Sequence, residues 1–268
     1  MRIALFVEGS ENRVVRGGLL IRAMWSRLAE NLGVHEFASV IPISKKHLVA
    51  MDPEQPPMSG AGEALDQLMA RRHRSEPFEA AVVAWDLVPA WNPQGGFCRW
   101  QETLDLYRHL AASAALDEPW RRAATRRHEE LRRRPSPAHR VQAHRLAPCE
   151  VIAVCMEPMF EAMLLQREQH VLRALGLERR PLGWPTQGWG SITTRRPDQD
   201  VLAPVIGALR CGPRKQWPRV AKTIGADARN KDPWLEYLLR RLLDDPEARA
   251  LVLAHPICRR LQECLARR

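Results

Sequence analysis

The chain has 268 residues, and its 41 basic and 31 acidic side chains give a formal net charge of +10. This length can bury a full hydrophobic core, and the excess of positive charge favours a polyanionic partner, with nucleic acid as the first candidate. No run of about eighteen uncharged apolar residues occurs and the first residues lack the pattern of an export signal, so we expect a cytoplasmic protein with no membrane partner.

The first part of the chain alternates short apolar runs with amphipathic stretches. Apolar runs rich in strand-forming residues predict strands over 2–7, 37–43 and 79–85. Between them, apolar side chains that recur every three or four positions predict helices over 18–32 and 64–73. This β-α-β order predicts an α/β fold with a mostly parallel sheet flanked by helices.

The same alternation continues after residue 98. A helix is predicted over about 99–115 and another apolar strand over 150–155. Pro158 is suited to the first position of a helix, which we expect to run through Gln169 and as far as Leu175. The last eighty or so residues are helical in pattern, with helices predicted over 234–243, 247–253 and 257–265.

These patterns divide the chain into three parts. We expect an α/β domain over 1–176, a loop rich in Pro, Gly and Trp over 177–197, and a helical C-terminal region over 198–268 that packs on the same domain. Two tryptophans of the loop, Trp184 and Trp189, are suited either to stacking on nucleic-acid bases or to pinning the loop onto the domain.

Acidic residues follow three of the predicted strands. Glu8 ends the first strand, Asp86 ends the third, and Glu157 follows the strand over 150–155, with Glu161 one turn into the next helix. Because ligands bind beyond the carboxyl ends of parallel strands, these acids are expected to meet at one edge of the sheet. Clustered carboxylates repel one another unless a hard cation such as Mg²⁺ or Mn²⁺ lies between them, so the spacing indicates a metal site. The alternative is that these acids only mark chain turns.

Arginines are concentrated between Trp120 and Arg145, a segment that contains nine arginines and only two glutamates. Such a run is typical either of a solvated helix face or of a nucleic-acid contact. The candidate contact residues are Arg121, Arg122, Arg126, Arg127, Arg132, Arg133 and Arg134.

Several segments resemble the Toprim-like proteins of the DUF4276 group. FVEGSEN is similar to the first Toprim motif, an apolar strand ending in Glu-Gly, and VVAWD to the strand that carries the second. CEVIAVCMEPMFEAMLLQ resembles the third characteristic stretch, and NKDPWLEYLLRRLL with LAHPICRRLQECL resembles the ending of that group. The second motif departs from the family pattern, because Asp-x-Asp is replaced by Asp86-Leu87-Val88.

The resemblance implies a role for each matching residue. Glu8 would be the general base or a metal ligand, Asp86 a metal ligand, and Glu157 or Glu161 a further acid, with Glu157 also counted among the metal ligands. Lys231 would contact a phosphate or the transition state, and Lys222 is the second choice for that lysine. The metal would be Mg²⁺ or Mn²⁺, and such proteins often accompany an ATPase, which would be a separate chain because no phosphate-binding Gly-rich Lys-Ser/Thr loop occurs here.

Two functions of different classes follow from the sequence. The first is a metal-dependent nuclease that hydrolyses phosphodiesters, as an effector of prokaryotic defence against phages or mobile elements. The second is a catalytically degenerate subunit that binds nucleic acid or scaffolds a partner protein, which the missing second aspartate favours. Dinucleotide binding and serine hydrolase chemistry are disfavoured, because neither the Gly-x-Gly-x-x-Gly nor the Gly-x-Ser-x-Gly spacing is present.

Overall fold

The structure is a computed structural model that describes residues 1–9, 14–15, 18–34, 36–54, 62–88, 99–133, 146–190, 196–224 and 231–265. Within these residues a central sheet contains four parallel strands in the order β4-β1-β5-β6, namely β1 (Ile3–Glu8), β4 (Phe37–Ile43), β5 (Ala80–Asp86) and β6 (Val151–Met156). Two short antiparallel strands, β2 (Val14–Val15) and β3 (Gly18–Leu19), pair with each other in a separate sheet. The expected α/β fold with a mostly parallel sheet is confirmed.

Helices cover both faces of the sheet. In chain order they are α1 (Leu20–Leu32), α2 (Lys45–Val49), α3 (Leu65–Ser75), α4 (Arg99–Ala112), α5 (Glu118–Arg132), α6 (Glu161–Leu164), α7 (Glu168–Ala174), α8 (Ala203–Leu209), α9 (Arg219–Ile224), α10 (Lys231–Asp244), α11 (Pro246–Ala254) and α12 (Pro256–Leu265). A π-helical turn (Asp198–Leu202) precedes α8, and a 3₁₀ turn (Arg214–Gln216) follows it. The helical C-terminal region is therefore present as expected.

Each face of the sheet has its own hydrophobic core. Leu5, Val82 and Ile152 point to one face, where they join α1 and the C-terminal helices α10 to α12. Phe6 and Val83 point to the other face, where α3, α4 and α5 cover them. Strands buried on both faces explain the continuous apolar runs by which they were recognised in the sequence.

The helix predicted from Pro158 to Leu175 is wrong as a single element. It is interrupted between α6 and α7, where main-chain carbonyls bind partners from elsewhere in the chain. The carbonyl of Leu165 accepts a hydrogen bond from Gly190 N at 3.0 Å, and the Gln166 side chain donates to the carbonyls of Met163 and Leu251 at 2.9 and 3.0 Å. The carbonyls of Met163 and Leu165 are thus paired with groups other than the N–H groups that a continuous helix would have offered them.

The Trp-containing loop packs on the domain. Trp184 is buried and stacks on Trp189, with ring centroids 5.9 Å apart and an interplanar angle of 16°. The indole N–H of Trp189 donates to the carbonyl of Pro185 at 3.0 Å. Both rings thus hold the loop in place, which favours the pinning interpretation over base stacking. No helix in the described part of the chain is long and apolar enough to cross a membrane.

His255, just before α12, makes the stability of the fold sensitive to acid. Burial lowers its pKa from 6.5 to about 4, and its Nδ1 accepts a hydrogen bond from Ile257 N at 3.4 Å, which requires the neutral ring. A histidine with a lowered pKa in the folded state stabilises the protein above pH 6.5, and this contribution is lost as the pH falls towards 4.

We therefore expect His255→Asn to lose less stability than wild type between pH 7.5 and 4.5. The difference should be about 2 kcal/mol, because a pKa unit corresponds to about 1.4 kcal/mol and the ring is only partly buried. Urea unfolding at both pH values measures it. Other titrating groups act equally in both proteins, so equal losses would contradict the assignment.

Candidate functional site

The two central strands place Glu8 and Asp86 side by side. β1 connects to β4 on one side, whereas β5 connects to β6 on the other, so the strand order reverses between β1 and β5. Ligand crevices in open parallel sheets form at such a reversal, beyond the carboxyl ends of the strands. Glu8 and Asp86 end these two strands, and Glu8 Oε2 accepts a hydrogen bond from Asp86 N at 2.9 Å.

A third carboxylate lies against this pair. Asp86 Oδ1 accepts a hydrogen bond from Phe160 N at 2.9 Å, and the next residue, Glu161, is only 2% exposed. Burial raises the pKa of Asp86 well above its usual value, and the negative charges of Glu161 and Glu8 raise it further. The hydrogen bond from Phe160 and the charge of Lys45 act in the opposite direction without reversing the shift. Three predicted acids, from β1, β5 and α6, therefore converge.

Lys231, the first residue of α10, also lies in this cluster. Its Nζ lies 2.6 Å from Glu161 Oε1 and 3.5 Å from Asp198 Oδ2. Burial lowers the pKa of Lys231, but the attraction and hydrogen bond of Glu161 outweigh burial and raise the pKa above its usual value. Lys222 is exposed and donates instead to the carbonyl of Lys215 at 2.7 Å. Of the two lysines predicted from the sequence, Lys231 is therefore the one that lies at this site.

Asp198 and Arg196 extend this network and were not predicted. Arg196 donates two hydrogen bonds of 3.1 Å to the carboxylate of Asp198. Burial raises the pKa of Asp198, but the hydrogen bond from Arg196 and the charge of Lys231 together lower it below the usual value. Asp198 is therefore a second carboxylate that holds Lys231, beside Glu161.

Lys45 is the second lysine of the site and was also missed. Its Nζ lies 3.1 Å from Glu8 Oε2 and donates to the main-chain carbonyl of Asp86. The side chains of Lys45 and Glu8 are only 13% and 18% exposed. The sequence signal for Lys45 is weaker than that for the acids, because Lys45 comes two residues after the end of β4 whereas Glu8 and Asp86 are the last residues of their strands.

Glu157 does not join the cluster. Its side chain is 56% exposed and lies 3.7 Å from Arg99 Nε. Glu157, a predicted metal ligand, is therefore not brought to Asp86, whereas the charge of Glu161 acts on the Asp86 carboxyl. Val88, where the resemblance to Toprim-like proteins would place a second aspartate, is buried and its N–H donates to the carbonyl of Pro158 at 3.0 Å. No acid replaces the missing aspartate there.

Glu8, Asp86 and Glu161 offer the kind of donor that suits a hard divalent cation, although their ligand atoms do not form a group within 4.8 Å of one another among the described residues. Their donors are carboxylate oxygens, which Mg²⁺ and Mn²⁺ prefer. One oxygen, Glu161 Oε2, is buried and has no hydrogen-bond partner among the residues that the structure describes. An unpaired buried carboxylate oxygen is unfavourable, and a cation held by Glu8, Asp86 and Glu161 would remove that cost.

Another group of metal-ligand side chains occurs elsewhere, at His170, Asp245 and Glu247, whose ligand atoms lie within 4.8 Å of one another. The guanidinium of Arg173 already lies among them, 2.7 Å from His170 Nδ1, 2.8 Å from Glu247 and 3.5 Å from Asp245. An internal cation therefore balances these acids.

The arginine-rich segment forms α5, and most of its arginines lie beside acids. Arg126 lies 2.6 Å from Glu150, and Arg122 pairs with Glu118. Arg127 departs from the prediction of a nucleic-acid contact, because its side chain is only 6% exposed and lies 3.0 Å from Glu130. Of the remaining predicted contacts, Arg121 lines an open depression of about 420 Å³ together with Arg122 and Arg126. Arg132 is exposed, and Arg133 lies 3.8 Å from Glu129. Arg134 lies outside the described residues.

Comparisons of the chain with protein-family models, with curated proteins and with solved structures each found no match. The resemblance to Toprim-like proteins therefore depends on the motifs quoted above. The chemistry of the site has to be inferred from the contacts of Glu8, Asp86, Glu161 and the two lysines.

Proposed function

We propose that this chain is a cytoplasmic, Toprim-like nuclease that uses Mg²⁺ or Mn²⁺ to hydrolyse nucleic-acid phosphodiesters. The observation that carries this proposal is that the charges of Glu8 and Glu161 act on Asp86 at the strand reversal, while a buried oxygen of Glu161 has no hydrogen-bond partner within the described residues. Adjacent carboxylates favour a cation between them, and the net charge of +10 suits a polyanionic substrate.

Each residue has a distinct part in this proposal. Glu8, Asp86 and Glu161 would hold the cation, which would polarise a phosphate oxygen and lower the pKa of a water molecule. Glu8, whose side chain is 18% exposed, would accept a proton from that water. Lys231 keeps 38% of its side chain exposed, so its ammonium can donate to a phosphate oxygen while Glu161 and Asp198 hold its position.

A second function is favoured by a different observation. Lys45 and Lys231 already neutralise Glu8 and Glu161, and buried Val88 replaces the second family aspartate. A site balanced in this way suits a degenerate subunit that binds nucleic acid or a partner protein through α5. A separately encoded ATPase and a role in prokaryotic defence stay predictions from the family resemblance.

The Glu8→Gln variant tests the nuclease proposal. Glutamine keeps an oxygen that accepts from Asp86 N but loses the charge, so cleavage should fall by about 10²-fold or more, which corresponds to about 3 kcal/mol of transition-state stabilisation. The assay measures cleavage of plasmid, single-stranded DNA and RNA with Mg²⁺ or Mn²⁺.

Glu178→Gln is the matched control, because Glu178 is exposed and lies outside the site, and it should cleave as wild type does. Metal-dependent cleavage that survives in Glu8→Gln would contradict the proposal. Salt-sensitive binding without cleavage by wild type would instead support the degenerate subunit.

A further inference from the structure

Lys45 occupies the place where the ends of β1 and β5 present oxygen atoms. Its ammonium lies 3.1 Å from Glu8 Oε2 and donates to the Asp86 carbonyl. One contact is with a side chain and the other with the main chain, so the ammonium bridges the two central strands. A lysine ammonium is compact and strongly charged, and it contacts Glu8 Oε2, one of the oxygens that would hold a hard metal ion at this site.

The position of Lys45 is set by the fold. Ile43 ends β4 and its carbonyl accepts from Gly9 N at 3.0 Å, which ties the end of β4 to the end of β1. Ser44 caps α2, and its main-chain N–H donates to His47 Nδ1 at 3.0 Å. These two hydrogen bonds hold the main chain just before Lys45, so that its side chain lies beside Glu8.

Helix stability does not explain a lysine at this place. Lys45 is the first residue of α2, where the positive end of the helix disfavours a cation. The unfavourable position is offset by the contact with Glu8, which is stronger than a surface ion pair because both side chains are largely buried. The interaction with the acidic site is thus the main reason for a cation here.

We propose that Lys45 is an internal competitor for the divalent cation, so that metal binds at Glu8 only when the lysine leaves it. This inference rests on the proposed function, since it concerns the metal at the same site. If Lys45 is away from Glu8 for about one tenth of the time, the apparent metal affinity of wild type is about tenfold weaker than that of the open site. The displaced ammonium is then available to a substrate phosphate.

Lys45→Met tests this competition without any cleavage assay. Methionine keeps the apolar stem and removes the ammonium, so Mn²⁺ should bind about tenfold more tightly than to wild type. Binding is measured from the electron paramagnetic resonance signal of free Mn²⁺ during titration, with no nucleic acid present. The control is Lys215→Met, which removes the same charge from an exposed lysine and should bind Mn²⁺ as wild type does.

The possible outcomes separate this inference from the proposed function. Equal or weaker Mn²⁺ binding by folded Lys45→Met, with clear binding by wild type, overturns the competition and leaves the metal site standing. Absence of binding in wild type and in Lys45→Met overturns the metal site itself. If Lys45→Met does not fold, as judged by circular dichroism, Lys45→Gln replaces it, since glutamine retains a donor for the Asp86 carbonyl and should also bind Mn²⁺ more tightly.

Discussion

Asp86→Asn is expected to reduce metal-dependent cleavage by about 10²- to 10³-fold while the protein folds at least as stably as wild type. Asparagine retains an oxygen that accepts from Phe160 N but does not carry the charge that holds a cation. The raised pKa of Asp86 shows that the fold disfavours its ionised form, so the destabilisation grows as the pH rises above the ordinary value of 3.8.

The uncharged variant should therefore be more stable than wild type at pH 8, by about 1 kcal/mol, and this gain should shrink towards pH 4. Urea unfolding at the two pH values measures stability, and the cleavage assay measures function. Asp200→Asn, in which an exposed aspartate is changed, should leave both unchanged. If Asp86→Asn were less stable than wild type and still cleaved, Asp86 would be a structural residue and not a metal ligand.

Lys231→Met should destabilise the metal-free protein by about 2 kcal/mol, because it leaves Glu161 charged, buried and unpaired. Fully buried pairs lose more when one partner is removed, but Lys231 is 38% exposed and water screens part of the interaction. Urea unfolding measures the change, and an unaltered dependence on denaturant would show that the unfolding transition is otherwise the same.

The double variant Lys231→Met/Glu161→Gln separates charge from packing. It should recover most of the lost stability, because the uncharged amide no longer needs the ammonium. Mn²⁺ should also restore stability to Lys231→Met but not to the double variant, since binding to the folded state stabilises it. A double variant as unstable as Lys231→Met would mean that the lysine acts through its packing alone.

The strands and two of the acids could be predicted because their signals are local. β4 has the predicted bounds, and β5 differs by one residue at each end from the predicted strand over 79–85. Strands buried on both sides are apolar throughout, and a strand that ends at a polar residue marks the sheet edge. Glu8 and Asp86 were found in this way, and neighbouring parallel strands bring them together.

The other members of the site could not be predicted in this way, because distant segments create it. Asp198 meets Lys231 across 33 positions of sequence, and it begins a short π-helical turn that no periodicity of the sequence indicates. The choice between Glu157 and Glu161 depended on the turn before α6, which leaves Glu157 in solvent. Lys45 lies two residues beyond the end of β4 and its partner Glu8 lies on another strand, so no local pattern links them.

Binding of Mn²⁺ to wild type and to Asp86→Asn, followed in the absence of nucleic acid, tests the metal site most directly. Wild type is predicted to bind one ion at the site formed by Glu8, Asp86 and Glu161, and Asp86→Asn is predicted to bind at least about tenfold more weakly, since a carboxylate ligand is lost. Equal Mn²⁺ binding by the two proteins would contradict a metal site at the ends of β1 and β5.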